Sequence, residues 1–309
     1  MLRRLTLAAV LIAAVATAAF AAVKQPDKLV VCSIADVSGR INPCGCDVPQ
    51  GGLARHASFA DSVRMDYDQV LVVDAGGYFP DSATVETGVF MVETMKAMGY
   101  DAVGTGHRDL RFGLDVLRDN VRRTGLPAIS TNLYVRALDK PALTPWIVKE
   151  IGTVKVGILS VISDRVDLGP SRSTLVAKDP FETAKNAIAA MKAKGATVIV
   201  LLSQLGKIDT EELVVSVPGI DVAVVGHHPT VNPVGRMLGK TILSYGGEQG
   251  HYMAGTIVTL DASRHMATAE SNTYKLTKDY KDNDAIAAKV KAFNLAQKAA
   301  GTASSENAH

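Results

Sequence analysis

Short, continuous apolar runs rich in β-branched residues alternate along this chain with longer stretches whose apolar residues recur at helical spacing. The run at 29–34 ends in a loop rich in Gly, Asn, Pro and Cys, and 53–65 then reads as a helix. The unit recurs as a strand at 70–73, a helix at 83–98, a strand at 102–104 and a helix at 110–123. Alternation of this kind predicts parallel strands covered by helices, an α/β fold. The runs at 146–151 and 154–159, separated by Gly152-Thr153, predict an antiparallel hairpin within that series. Asp179-Pro180-Phe181-Glu182 supplies an N-cap, a first-turn proline and a capping-box Glu, opening a helix to about Lys194. Strands are expected at 197–202, 222–225, 241–244, 256–260 and 268–275. A helix at 284–299 follows, with Ile286, Val290 and Phe293 on one face. There is no internal repeat. One domain is expected over 28–277, and a disordered tail over 301–309.

The first residues add a location. Arg3 and Arg4 precede an uncharged, mostly apolar run to Ala22, and Ala19-Phe20-Ala21 offers a small-x-small cleavage signal. This predicts an export signal peptide over 1–21 and a periplasmic or secreted mature protein. No later apolar stretch is long enough to cross a bilayer, so no transmembrane segment is expected in the mature chain. The 33 Lys+Arg nearly balance the 31 Asp+Glu, and without Arg3 and Arg4 the balance is even. Nothing in that favours a nucleic acid polymer or an anionic membrane surface as partner. Three cysteines make an odd count for an oxidising compartment, where one disulfide and one free thiol is the simplest expectation.

In open α/β sheets ligands bind at the carboxyl ends of strands, so residues just after each apolar run are the candidates for chemistry. They are Asp36, Asp74, His107 with Asp109, Gln204, and His227 with His228. Acidic, amide and imidazole groups at consecutive strand ends are what a hard or borderline metal site uses. Each taken alone also reads as a loop cap or a hydrogen-bonded polar residue.

The segments around these residues resemble the metallophosphoesterase domain of the periplasmic 5'-nucleotidase and UDP-sugar hydrolase family, within the calcineurin-like phosphoesterase superfamily. Asp36-Val37-Ser38-Gly39 is similar to its Asp-x-His-Gly, Gly51-Gly52-Leu53-Ala54-Arg55 to its Gly-Gly-x-Ala-Arg, and Asp74-Ala75-Gly76-Gly77 to its Asp-x-Gly-Asp. The segment from Gly99 to Val103, then Gly106-His107-Arg108-Asp109, resembles Gly-Tyr-Asp-Ala-Val followed by Gly-Asn-His-Glu. Ser203-Gln204-Leu205-Gly206 is similar to Ser-His-x-Gly, Gly226-His227-His228-Pro229 to Gly-His-x-His, and Gly247-Glu248-Gln249-Gly250 to Gly-Glu-x-Gly. The order and spacing agree from about Leu29 to Asp261. The resemblance implies a four-layer αββα sandwich of the 5'-nucleotidase N-terminal domain type.

It also implies a chemistry from which this chain departs. The family's hydrolysis uses two divalent metals about 3.5 to 4 Å apart. The resemblance places Gly77 where the family's bridging Asp stands. Ser38, Gln204 and Pro229 stand where it has His, His107 where it has Asn, and Arg108 where it has a catalytic His. The candidates that remain are Asp36, His107, Gln204 and His227 for one divalent metal such as Zn or Mn, and Arg108 with Asp109 for a catalytic or phosphate-holding role. Arg108 reads equally as a structural partner of Asp109 or Asp101, and Asp74 as a backbone organiser. The family's enzymes carry a further C-terminal domain that supplies much of the nucleoside pocket, so nucleotides are not the expected substrates here.

Asn42-Pro43-Cys44-Gly45-Cys46 lies between Asp36 and the Gly51-Gly52 helix start. A disulfide there would be a redox centre or a loop staple, and the thiolates would otherwise suit a soft metal. Relatives that combine Pro-Cys-Gly-Cys with Gly-Gly-Leu-Ala-Arg, some with selenocysteine in the motif, imply redox use. Pairing of the loop with Cys32 is the other possibility; otherwise Cys32 is a buried strand thiol. His56 and His251 are expected on the surface or in helices, without a role in the site. Three functions stay open: a family-fold protein that binds a phosphoester or other ligand, or one metal, without two-metal hydrolysis; an atypical phosphohydrolase; and a thiol-disulfide protein using Cys44 and Cys46.

Overall fold

The computed structural model describes residues 27–80, 84–227 and 231–301. The signal peptide expected over 1–21, the tail beyond Gly301, and His228 with Pro229 lie outside them. β1 (Lys28–Ile34) leads into α1 (Leu53–Asp66), β2 (Val70–Asp74), α2 (Val85–Ala97) and β3 (Ala102–Val103). After a 3-10 turn at Arg108–Leu110 come α3 (Leu114–Thr124), β4 (Leu133–Val135), β5 (Lys140–Pro141), β6 (Trp146–Ile151) and β7 (Val154–Ile162). β8 (Leu175–Ala177), α4 (Pro180–Ala193), β9 (Val198–Gln204), α5 (Lys207–Ser216) and β10 (Val222–Val225) follow. β11 (Arg236–Leu238), β12 (Thr241–Tyr245), β13 (Tyr252–Leu260), β14 (Met266–Lys275) and α6 (Asp284–Ala299) come last.

Two mixed sheets stack face to face, one ordered β14-β13-β1-β2-β3 and the other β11-β12-β10-β9-β7-β6. The alternation of side chains along each strand explains why these strands read as unbroken apolar runs. In β1, Leu29 and Val31 enter the core between the sheets, while Val30, Cys32 and Ile34 face α1, α2, α3 and α6. In β9, Val198, Val200 and Leu202 enter the inter-sheet core, and Ile199 with Leu201 packs under α4 and α5. Three apolar cores therefore separate four layers, the αββα sandwich.

Local signals account for the boundaries. Asp179 Oδ1 accepts hydrogen bonds from the N–H of Phe181 (2.8 Å) and of Glu182 (3.0 Å), with Pro180 at the first helical position. β6 and β7 pair antiparallel from Ile151↔Val154 outward across Gly152-Thr153, whose glycine takes φ 58°. α6 lays Ile286 and Val290 into the core and stacks Phe293 on Phe90, with ring centroids 4.2 Å apart. Among the described residues no helix is long and apolar enough to cross a membrane.

Several expectations need correction. α3 starts at Leu114, not 110, because Gly113 at φ 89° breaks the helical path after the 3-10 turn. α2 starts at Val85, with Thr84 as its cap residue. β13 begins at Tyr252, not 256: Ala254 and Gly255 dilute the apolar pattern yet pair with β1 and β14 on both sides. The three-stranded sheet β5-β4-β8, and β11, leave no sequence signal because strands of two or three residues carry no measurable periodicity.

Asp179→Ala should cost about 1 kcal/mol, read as a lower urea midpoint at unchanged slope, and Asp179→Asn should restore most of it. An unchanged midpoint in the Ala variant would show that the cap adds nothing.

Candidate functional site

β1, β2 and β3 run parallel in one sheet and β9, β10 and β12 in the other, so their carboxyl ends share one edge of the sandwich. Asp36 follows β1, Asp74 ends β2, His107 to Asp109 follow β3, Gln204 ends β9 and His227 follows β10. Four non-glycine residues at this edge hold left-handed backbone: Asp36 (φ 50°), Ser38 (φ 53°), His227 (φ 63°) and Gln249 (φ 55°). Such conformations persist only where surrounding bonds hold them, and they concentrate at functional sites.

Asp36 joins the two sheets. Its Oδ2 accepts the His227 backbone N–H (2.7 Å), and its Oδ1 lies 3.4 Å from the Gln204 amide nitrogen. Its own carbonyl accepts the Gln249 N–H (2.7 Å). Gln204 Nε2 also donates to the Gly76 carbonyl (3.0 Å), which orients the amide and leaves Oε1 buried without a hydrogen bond. Bare glycines wall this amide: a Cβ on Gly106 would lie 2.6 Å from Oε1, and one on Gly226 would lie 2.5 Å from Nε2.

The His107 and His227 rings meet edge to face, with centroids 5.1 Å apart. Arg108 Nη1 donates to Ser38 Oγ (2.7 Å). Asp101 accepts from Lys149 and from the Val72 N–H (2.8 Å). Asp109, a catalytic candidate by sequence, lies beneath the site, fully buried. Its oxygens take the N–H groups of Gly77 (2.8 Å), Phe79 (2.9 Å) and Gly106 (2.7 Å). Burial pushes its carboxyl up to about 7, against the pull of those three donors. Asp74 is the backbone organiser expected: Oδ1 takes the Gly76 N–H (2.7 Å), and burial holds its carboxyl well above the usual carboxylate range.

A two-metal centre does not fit these residues. At the position matching the family's bridging Asp, a Cβ on Gly77 would collide with Asp36 Oδ1 and stand 3.2 Å from Asp36 Cα. Gly77 itself offers no donor at that position, and a side chain added there would have to displace the Asp36 carboxylate. Gln204 turns its amide hydrogens to Asp36 and the Gly76 carbonyl, with Oε1 on the side of Gly106. Among the described residues no cluster of three or more His, Cys, Asp or Glu is placed to hold a metal ion. Cys44 and Cys46 are bonded to each other, and Cys32 is a buried thiol that burial pushes up to about 12. The alternative pairing through Cys32 is thus not the one formed.

His56 lies in α1, one of the placements expected for it, and is fully buried there. Leu53, His56, Ala57 and Ala60 share one face of α1 at i, i+3, i+4, i+7, a signal available in the sequence. Its Nε2 lies 2.6 Å from the Gly250 carbonyl, an obligate acceptor, so this nitrogen carries the hydrogen. Gly250 adjoins Gln249, so His56 braces the loop that holds Asp36 from behind.

The chain has the calcineurin-like metallophosphoesterase fold, that of the N-terminal domain of 5'-nucleotidases. The 5'-nucleotidase precursor of Thermus thermophilus superposes with a TM-score of 0.79 over 88% of this chain and 59% of its own, at 22% identity. The sulfate thiohydrolase SoxB of the same organism also gives 0.79, over 89% and 62%, at 13% identity. The calcineurin-like phosphoesterase YfkN of Bacillus subtilis gives 0.75, over 88% and 98%, at 17%. In sequence, the 5'-nucleotidase of Rattus norvegicus is 27% identical over 188 residues, 58% of this chain and 33% of its own length. A 2',3'-cyclic-nucleotide 2'-phosphodiesterase/3'-nucleotidase of Haemophilus influenzae is 21% identical over 213 residues, 59% of this chain and 32% of its own. The chain thus spans about a third of the length of these curated relatives. No family model matches it.

Two measurements test this geometry. Gly77→Asp should destabilise the fold by about 1–3 kcal/mol, from the left-handed backbone and the contact with Asp36, and an unchanged melting temperature would mean that Asp36 moves freely. Burial pushes the His56 imidazole down from 6.5 to about 4, so the unfolded chain takes up a proton that the folded one refuses between those values. The contribution of His56 to stability should therefore be level above pH 6.5 and fall as pH drops toward 4, by up to about 1.4 kcal/mol per unit, against the opposite trend from Asp109 as it takes up a proton below about 7. His56→Gln should flatten that fall; an equally steep curve would assign it to other groups.

Proposed function

We propose that this protein binds a small oxyanionic ligand, a phosphate ester or a group of like charge, at the carboxyl-end edge of the sandwich, and does so without two-metal hydrolysis. One observation carries the reading: Gly77, at the position matching the bridging Asp, has no side chain to hold a metal, and the Asp36 carboxylate lies against it with its oxygens taken by His227 N–H and the Gln204 amide. A phosphoester dianion held without dications needs fixed donors and positive charge. Arg108 meets that need, because its planar guanidinium matches phosphate in a bidentate fork and is held at one end by Ser38. The His107 and His227 rings add nitrogen donors nearby. The named relatives act on nucleotides, which makes adenosine monophosphate the first ligand to try. In this reading residues 1–21 are an export leader and the mature protein works outside the cytoplasm.

The second reading is a phosphohydrolase using one metal on Asp36, His107, Gln204 and His227. The close approach of the two imidazole rings favours it.

Adenosine monophosphate binding by calorimetry, with hydrolysis of p-nitrophenyl phosphate in Mn²⁺ and Zn²⁺, separates the two. Binding should weaken about tenfold in Arg108→Ala, about 1.4 kcal/mol, with no turnover above the blank. Turnover that disappears in His227→Ala would replace the binding reading with the hydrolase.

A further inference from the structure

The Cys44–Cys46 loop is held in shape by everything except its disulfide. The Cys44 N–H donates to the Gln50 carbonyl (2.9 Å), Leu53 N–H to Ile41 (3.1 Å), and Gly51 N–H to Leu276 (2.8 Å). The side-chain amides of Asn42 and Asn294 pair with each other at 2.9 and 3.4 Å, tying the loop to α6. Arg55 Nη1 donates to the Pro49 carbonyl (2.9 Å). The disulfide joins residues two apart, so it closes the shortest of loops and removes little freedom from the unfolded chain. As a staple it is nearly redundant.

Its two sulfurs differ in their surroundings. Cys46 is exposed and followed by exposed Asp47 and Val48, whereas Cys44 is partly buried. The Gln50 backbone N–H points at Cys44 Sγ, at 3.4 Å. Thiol-disulfide exchange needs an accessible sulfur for the incoming thiolate and a stabilised one to leave. The loop supplies both.

We propose that the Cys44–Cys46 disulfide is a thiol-disulfide exchange site that takes two electrons from a dithiol, with Cys46 the sulfur attacked and Cys44 the leaving group. The donor's thiolate attacks Cys46 Sγ. A mixed disulfide forms, the Cys44–Cys46 bond breaks, and its electron pair leaves on Cys44 Sγ, which the Gln50 N–H stabilises before it takes up a proton. The donor's second thiol then attacks its own sulfur in the mixed disulfide, releasing Cys46 as a thiol. The donor's two thiols become one disulfide and the loop's disulfide becomes two thiols. This reading is independent of anion binding at the carboxyl-end edge.

The test uses the full chain, with dithiothreitol as the dithiol and oxidised glutathione as the trap, followed by maleimide alkylation and mass spectrometry. Limiting dithiothreitol should open the loop under native conditions, leave Cys32 unlabelled and leave the melting temperature unchanged. At a pH where both thiols are fully ionised, the remaining Cys46 in Cys44→Ser should form a glutathione mixed disulfide about tenfold faster than Cys44 does in Cys46→Ser, because the Cys44 thiolate is the less basic and less accessible of the two. A bond that stays closed until the protein unfolds, a melting temperature that collapses on reduction, or equal rates in the two variants would overturn the proposal. Matching melting temperatures of the two variants guard the comparison against misfolding.

Discussion

A carboxylate closed into the seam between two sheets has to be answered by cations or by hydrogen-bond donors, and Asp36 is answered by donors. The rest of the site follows from that choice. The His227 N–H can reach Asp36 Oδ2 because residue 227 adopts left-handed backbone, and the Gln204 amide can lie alongside because residues 106 and 226 have no Cβ. Gly77 takes left-handed backbone at φ 78°, and a Cβ there would meet the Asp36 carboxylate. Of these residues only Gly77 and Gln204 differ from the motifs the chain resembles, and they pack with the matching Asp36, Gly106, Gly226 and His227 into one arrangement.

The same logic extends beneath the surface. Asp36, Asp74 and Asp109 gather at one edge, and the charge of Asp36 raises the cost of ionising both members of the buried pair Asp74 and Asp109. Backbone N–H groups from the loop at Gly76, Gly77 and Phe79 and from Gly106 offset part of that cost. The carboxylates thereby fasten the loops after β2 and β3 to each other, and His56 does the same from α1 through Gly250.

The fold is legible where both faces of a strand are buried, because an unbroken apolar run such as 198–202 has nowhere to go but between two packed layers. The α4 cap is legible at Asp179 and Pro180, since Asp179 takes the Phe181 and Glu182 N–H groups with Pro180 at the first helical position. The small sheet is not, because its strands are shorter than any period. In the site, Asp36, Gln204 and His227 stand out by their place at strand ends. The direction of the Gln204 amide and the depth of Asp109 do not, because both are set by contacts between segments far apart in the chain. His56 is legible as a helix residue, and its spacing with Leu53, Ala57 and Ala60 places it on the buried face.

The left-handed positions at Asp36, Ser38, His227 and Gln249 mean that the main chain itself gives this edge of the sandwich much of its shape. A mould of that kind keeps its form when the groups lining it are exchanged. Divergence in such a family can therefore proceed by re-facing one cast, with cations, amides or guanidinium in turn, while the scaffold that carries them stays put.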